Sequence, residues 1–174
     1  VLFTLTVLSV YFIPVFIRSE FSMPAFWRHL AAGAGIQFTI ALMTILVVHE
    51  MGHFLAGRRR GIVTSWPYFI PAPNLFGTFG AIIRSKSPFW NRRDLLELGA
   101  AGPIAGWLVA IGWLAYGLTQ SHIVPISQLT PYDLPFSLEG ESVLMRFLTT
   151  SLVGSGGEGS VFVLSEFAFA GWAG

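Results

Sequence analysis

Cysteine is absent from this chain of 174 residues, and charged residues are scarce. Without cysteine the chain forms neither disulfides nor a thiolate metal site, so any metal ligand must be a His, Asp or Glu side chain. Only 11% of the residues are charged, against about 25% in an ordinary soluble domain, and 53% are hydrophobic. This composition is typical of a protein embedded in a lipid bilayer. The net charge of +1 gives no indication of nucleic-acid binding, and we expect no nucleic-acid partner.

Four apolar stretches are long enough, or nearly long enough, to cross a bilayer as helices. They comprise residues 1–17, residues 31–57, residues 95–118 and a stretch that starts at about residue 161. The sequence therefore predicts an all-α membrane protein with several transmembrane helices, forming one membrane-embedded unit over residues 1–174. Because the first stretch begins, and the last one stops, within an apolar run, we expect the chain to be a fragment of a longer protein.

One connecting segment, residues 65–87, is apolar but unsuited to a helix. Its three prolines and two glycines exclude a continuous helix. Two extended runs that turn at Pro73 and Asn74 would form a re-entrant β-hairpin, which could bind an unwound substrate by strand addition. Backbone of this kind is tolerated at membrane depth only where protein or a water-filled cavity covers it. A loop on the membrane surface is the alternative, and the chemistry of the segment favours neither.

Near the end of the second stretch, His49 to His53 reads His-Glu-Met-Gly-His. Histidines four residues apart lie on one face of an α-helix, so both imidazoles can reach a single metal ion. Glu50 can then act as the general base that activates water at the metal. Ionisable residues within a span are costly, by about 2.5–3.5 kcal/mol each on insertion scales, and metal ligation gives these three a function. The alternative is that they lie at the helix end, solvated by lipid headgroups.

A catalytic zinc ion needs three protein ligands and one open position, and no third ligand is evident. Asp94 follows Arg92 and Arg93, a context that suits an interfacial anchor. His122 lies beyond the third stretch, on the opposite predicted side of the membrane. The same side carries the acidic residues Asp133, Glu139, Glu141 and Glu158. We predict none of these as a ligand and expect the third ligand beyond Gly174.

Basic residues indicate an orientation. Seven of the ten Lys and Arg residues lie between the second and third stretches, namely Arg58, Arg59, Arg60, Arg84, Lys86, Arg92 and Arg93. By the positive-inside tendency this segment faces the cytoplasm or an equivalent compartment such as the stroma. His49 and His53 are then expected near that face. The arginines at 58–60 are expected to act as a stop-transfer anchor rather than to bind substrate.

Small residues mark the start of the third stretch. Gly102 and Gly106 lie four residues apart, a spacing that allows two helices to approach closely. Pro103 either kinks this helix or marks its first turn. We expect the glycines to pack against the helix that carries His49 and His53.

Together these residues resemble a known family. The sequence from His49 to Arg58 resembles the active-site helix of the site-2 proteases, which are intramembrane zinc metalloproteases. Residues 67–73, 77–81 and 101–106 are similar to motifs of the cyanobacterial and plastid branch. Residues 169–174 are similar to the start of its next conserved span. The resemblance implies Zn²⁺ as cofactor.

The same resemblance assigns roles to residues. It implies His49 and His53 as zinc ligands and Glu50 as the catalytic base. The family's third ligand is an aspartate in the span that begins where this chain stops, so residues 1–174 are expected to carry an incomplete site. The resemblance also favours the hairpin over the surface loop.

The implied function is an intramembrane zinc metalloendopeptidase that hydrolyses peptide bonds in transmembrane segments of other proteins within the lipid bilayer. Three alternatives remain. An inactive homologue acting as a binder or chaperone is disfavoured by the intact Glu50. A metal transporter would need further ionisable residues in its spans, which offer only Glu97. A membrane-anchored protease acting on soluble proteins would need a large soluble domain.

Overall fold

A computed structural model describes residues 1–86, 91–129, 133, 135–136, 142–154 and 160–174. The helices in these residues are α1 (Leu2–Arg18), α2 (Met23–Ala31), α3 (Ile36–Arg59), α4 (Arg92–Leu118), α5 (Val143–Leu152) and α6 (Glu166–Ala173). The strands are β1 (Tyr68–Pro71), β2 (Thr78–Ile82), β3 (His122–Pro125), β4 (Pro135–Phe136) and β5 (Ser160–Val163). Most of the described chain is therefore helical, as the sequence predicts.

Within the described residues, two helices are long and apolar enough to cross a membrane, α3 with 24 residues and α4 with 27. Helix α3 begins later than the predicted residue 31 because Gly33 and Gly35, with φ angles of 80° and 83°, separate it from α2. Helix α4 begins earlier than the predicted residue 95 because the Asn91 side chain caps it, accepting a hydrogen bond of 2.8 Å from the Asp94 amide. Helix α1, at 17 residues, is shorter than these two.

The predicted hairpin is present between α3 and α4, as far as residue 86; residue 87 lies outside the described residues. Strands β1 and β2 pair antiparallel, with Tyr68 opposite Ile82. The Asn74 side chain closes the turn, because its Oδ1 accepts hydrogen bonds from the Phe76 and Thr78 amides at 3.1 and 3.2 Å. An isolated bridge between Thr64 and Ser85 extends the pairing toward α3.

The fourth apolar stretch differs from its prediction, and the all-α fold class with one hairpin needs a second small sheet added to it. The segment predicted to start a helix near residue 161 is instead β5, the central strand of a three-stranded antiparallel sheet with β3 and β4. Valine and phenylalanine dominate β5, and these residues favour strands. A short apolar run does not reveal by periodicity whether it is helical or extended. The helix begins only at Glu166, after Ser165 caps it.

Helix α6 packs against both long helices and runs in the same direction as α3. Gly117 of α4 is in such close contact with Ala168 that a Cβ at residue 117 would overlap its backbone. At the other end of α6, a Cβ on Gly174 would lie 2.9 Å from the Ile45 side chain. Val10 of α1, Phe38 of α3 and Ala170 of α6 belong to one buried apolar cluster. The four helices α1, α3, α4 and α6 thus form one packed unit.

Glu166 joins the ends of three helices. Its carboxylate accepts hydrogen bonds from the Gly35 amide at 2.9 and 3.0 Å and from the Phe38 amide at 3.4 Å. It also forms an ion pair of 3.0 Å with Arg18 at the end of α1. A carboxylate at a helix N-terminus satisfies free amides and interacts favourably with the helix dipole. Glu166 therefore anchors α6 to α1 and to the start of α3.

We expect Glu166→Gln to destabilise the protein by about 1–2 kcal/mol, because hydrogen bonds to a charged group are stronger than those to an amide. Arg18 would also lose its partner. The measurement is denaturant unfolding of both proteins in detergent micelles. Glu20→Gln, in the exposed turn after α1, is the matched control and should change stability little. Equal stability of the two variants would contradict the anchoring role of Glu166.

Candidate metal centre

The two histidines of the His-Glu-Met-Gly-His pattern converge on one point. Helix α3 is continuous through both, and the distance between their Nε2 atoms is 3.2 Å. Two nitrogens bound tetrahedrally to one zinc ion, with bonds of about 2.0–2.1 Å, are separated by about 3.3 Å. The spacing of His49 and His53 therefore fits two ligands of a single metal ion.

A backbone carbonyl on the neighbouring helix fixes the ring of His53. Its Nδ1 lies 2.7 Å from the Leu98 carbonyl oxygen. Since a carbonyl can only accept, His53 carries its proton on Nδ1, and the Nε2 lone pair is directed toward His49. Histidine ligands of metals characteristically donate their second ring N–H in this way, which orients the ring. The position of α4 thus helps to set the orientation of the site.

Glycines make room for both imidazoles. A Cβ at Gly102 would overlap the His53 ring, and one at Gly106 would lie 3.0 Å from His49 Nδ1. On the other helix, a Cβ at Gly52 would lie 2.5 Å from the Ala101 carbonyl oxygen. The close packing of α3 against α4 predicted from Gly102 and Gly106 is confirmed. The sequence did not reveal that these glycines contact the histidine rings themselves, because spacing alone gives no partner.

Glu50 lies beside the two histidines and is buried, with 5% of its surface exposed. All three side chains border a cavity of about 470 Å³. Its other walls come from the hairpin and from α4, through Thr64, Ala81, Ile82, Ile83, Ser85, Leu95, Leu98 and Gly99. The cavity is large enough for several residues of an extended peptide. It brings a carboxylate, two imidazoles and a strand edge to one place.

Asp94 and Glu97, near the start of α4, form ion pairs with arginines and do not contribute to the histidine pair. Asp94 lies 3.6 Å from Arg60, and Glu97 accepts hydrogen bonds from Arg60 and Arg93. The hydrogen bond to Glu97 raises the pKa of Arg60, which keeps its charge. Arg60 therefore links the end of α3 to the start of α4. No sequence pattern indicates this pairing, because 37 positions separate Arg60 from Glu97.

The remaining candidate ligands lie elsewhere or are not described. His122 begins β3 beyond the far end of α4. The helix rises about 1.5 Å per residue, so its end is about 18 Å past Gly106. Glu139, Glu141 and Glu158 lie outside the described residues. Among the described residues, no group of three or more His, Asp or Glu side chains is positioned to hold a metal ion. The histidine pair thus provides two ligands of a prospective site.

Comparison with known proteins gives the family. The profile of peptidase family M50 matches residues 37–169. The chain is 36% identical over 137 residues to the probable zinc metalloprotease EGY2, chloroplastic, of Arabidopsis thaliana, covering 77% of this chain and 24% of the relative. It is 33% identical over 141 residues to the protein of the same name from Oryza sativa subsp. indica, covering 80% and 25%.

A third relative, the probable zinc metalloprotease EGY1, chloroplastic, of Arabidopsis thaliana, is 32% identical over 142 residues, with 81% and 26% covered. The chain thus spans about a quarter of the length of the curated relatives it matches. No solved structure matches it significantly. The expected resemblance, its plastid-like branch and its zinc cofactor are confirmed. The chain belongs to peptidase family M50, the site-2 protease family of membrane zinc metalloproteases.

Proposed function

We propose that this chain carries the catalytic core of an intramembrane metalloendopeptidase, which hydrolyses peptide bonds in transmembrane segments of other proteins. The observation that carries the proposal is the convergence of the His49 and His53 Nε2 atoms, 3.2 Å apart, in the cavity that Glu50 also lines. A carboxylate beside a metal-binding pair is the arrangement needed to activate water against a peptide carbonyl.

Each residue then has one role. His49 and His53 would hold zinc through Nε2, and Leu98 orients His53 through its carbonyl oxygen. Zinc, when bound, supplies a Lewis acid that polarises the carbonyl of the scissile peptide. Glu50 takes a proton from the attacking water and delivers it to the departing amine. Burial of Glu50 keeps competing bulk water away from this transfer.

The third metal ligand is proposed to follow Gly174. The course of α6 supports this proposal. Helix α6 runs in the direction of α3, and the Cβ position of Gly174 lies 2.9 Å from Ile45, one helical turn before His49. A chain continuing in this direction would pass beside the histidine pair. Helix α6 thus approaches the site on the side that α4 leaves open.

The substrate must reach the site unwound, because an intact helix uses its own backbone carbonyls in hydrogen bonds. Strand β2 supports binding in an extended form. Its residues Ala81 and Ile82 line the same cavity as Glu50, so a peptide added along the hairpin would pass the site. We propose that the protein is a multi-pass membrane protein with this site near the cytoplasmic or stromal face. The basic segment between α3 and α4 supports that orientation.

Zinc content of the purified protein tests the assignment of the ligands. We expect His53→Ala to reduce zinc from about one ion per chain to a small fraction of that, because a zinc site depends on each of its few protein ligands. The measurement is elemental analysis after dialysis against a weak chelator. If residues 1–174 hold zinc too weakly, both proteins are measured with the following segment of a plastid relative joined after Gly174.

His122→Ala is the matched control for this measurement, since it removes a histidine at the far end of α4. It should leave zinc content unchanged. Loss of zinc with His122→Ala would show that the ligand set has been assigned wrongly. Absence of zinc from every version, including the extended one, would contradict the metalloprotease function of this chain.

A further inference from the structure

The arginines at residues 58–60 have different surroundings, although the sequence suggests one common anchoring role. Arg60 pairs with Asp94 and Glu97. Arg58 has its guanidinium over the Phe54 ring, 5.4 Å from the ring centroid. Among the ion pairs formed by the described residues, Arg58 takes part in none. Its charge is thus available to a ligand, whereas that of Arg60 is already used.

Arg58 borders a second cavity of about 350 Å³, which is next to the candidate metal centre. Phe54, the residue directly after His53, forms part of the wall, and the Trp66 ring stacks on it with centroids 5.0 Å apart. Thr64 lines both this cavity and the one that contains Glu50. Thr64 thus forms a common wall of the two cavities, and a peptide bound at the metal centre would reach the second cavity by passing over Thr64.

The charge of the residues that line the second cavity indicates which substrate side chain it can bind. Among the described residues that line it, one is a cation, Arg58, and none is acidic. A guanidinium beside aromatic rings binds a carboxylate well, because the rings exclude water from one side of the ion pair. Arg58 follows His53 by five positions, about 7.5 Å along the helix and about 140° around it. The two side chains are therefore farther apart than the axial rise alone, by a few residues of extended peptide.

We propose that the second cavity is a specificity subsite for an acidic residue of the substrate, an Asp or Glu a few residues away from the scissile bond, bound by Arg58. This inference rests on the proposed function, because it takes the metal centre as the place of cleavage. It assigns to Arg58 a role in substrate selection that its two neighbours do not share.

The test uses short apolar peptides carrying Glu, Gln or Lys at each position on either side of the scissile bond. Affinity is measured by fluorescence anisotropy with the Glu50→Gln protein in discs of uncharged lipid, and cleavage with the protein that retains Glu50. We expect the best Glu peptide to bind about tenfold more tightly than its Gln counterpart. Arg58→Gln should abolish this preference, and Arg58→Glu should transfer it to the Lys peptide.

Arg59→Gln is the matched control, since Arg59 is the adjacent exposed cation and lines neither cavity. It should keep the preference for Glu. Equal binding of Glu and Gln peptides, or an unchanged preference in Arg58→Gln, would overturn the proposal even if cleavage is observed. A preference for Glu that depends on Arg58, without any cleavage even by the protein extended after Gly174, would uphold the subsite while contradicting the protease function.

An anionic lipid headgroup is the competing occupant of the second cavity. The same proteins are therefore measured for binding to vesicles with and without phosphatidylglycerol. If Arg58→Gln weakens binding to the anionic vesicles and leaves the peptide preference intact, the cavity serves the lipid and the proposal is wrong.

Discussion

Replacing Glu50 with Gln is expected to lower kcat/KM for peptide hydrolysis by about a thousandfold, within the range that general acid–base catalysis contributes. The amide has nearly the same size and shape as the carboxylate but cannot take a proton from water. Glu50 is the one carboxylate among the described residues that line the cavity at the histidine pair. No described neighbour can therefore replace its function. Zinc content should stay unchanged, because both imidazoles remain in place.

The measurement is cleavage of a transmembrane peptide in lipid discs by the protein extended after Gly174 with the segment of a plastid relative, with zinc determined on the same samples. Glu97→Gln makes the same chemical change near the start of α4, where the carboxylate binds Arg60 and Arg93. It should retain activity within a few-fold of the original protein. If Glu50→Gln hydrolysed peptide at the original rate, Glu50 would not be the base. A protein that binds zinc but cleaves nothing would favour an inactive binding homologue or a metal transporter.

The second large effect is expected from Gly102→Ala, which adds a single methyl group. A Cβ at this position would overlap the His53 ring, so the ring must turn away or α4 must shift. Either movement breaks the hydrogen bond to the Leu98 carbonyl and separates the two Nε2 atoms. We expect zinc affinity to fall by about a hundredfold, the upper range for losing the groups that orient metal ligands. Activity should fall at least as far.

Gly112→Ala is the matched control, because residue 112 lies on the same helix and a Cβ there would meet no atom within 4 Å. Alanine is a better helix former than glycine, by about 1 kcal/mol, so this control should be neutral or slightly stabilising. Zinc affinity is measured by competition with a chromogenic chelator, and folding by thermal unfolding. Normal zinc affinity in Gly102→Ala would show that α4 is not in contact with the metal centre.

Local patterns account for what the sequence predicts well. The spacing of His49 and His53 needs only a helix to bring the rings together. The turn at Pro73 and Asn74 is equally local, because no helix can continue there, whereas the choice of a hairpin over a surface loop rests on the family resemblance. Both features depend on residues within a few positions of each other. Local backbone geometry therefore determines them, and no tertiary contact is needed to predict them.

The features that the sequence does not predict depend on contacts between segments that are distant in the chain. Nothing in the sequence indicates that Leu98 contacts His53, or that Arg60 pairs with Asp94, because these depend on the relative rotation and height of two helices. Strand β5 was mistaken for the start of a helix, since its short apolar run fits either structure and its partners are distant in sequence. Such features require the tertiary structure.

The attachment of Glu166 at the first residue of α6 has a consequence for how this segment can vary. With that end fixed to Gly35 and Arg18, the angular position of each later residue around the helix is fixed as well. A Cβ on Gly171 would lie 2.4 Å from the Leu114 backbone nitrogen of α4. One residue inserted after Glu166 would rotate the remainder by about 100° and turn Gly171 away from this contact. A larger side chain would then face α4. Length changes within α6 should therefore be far less tolerable than substitutions on its outer face.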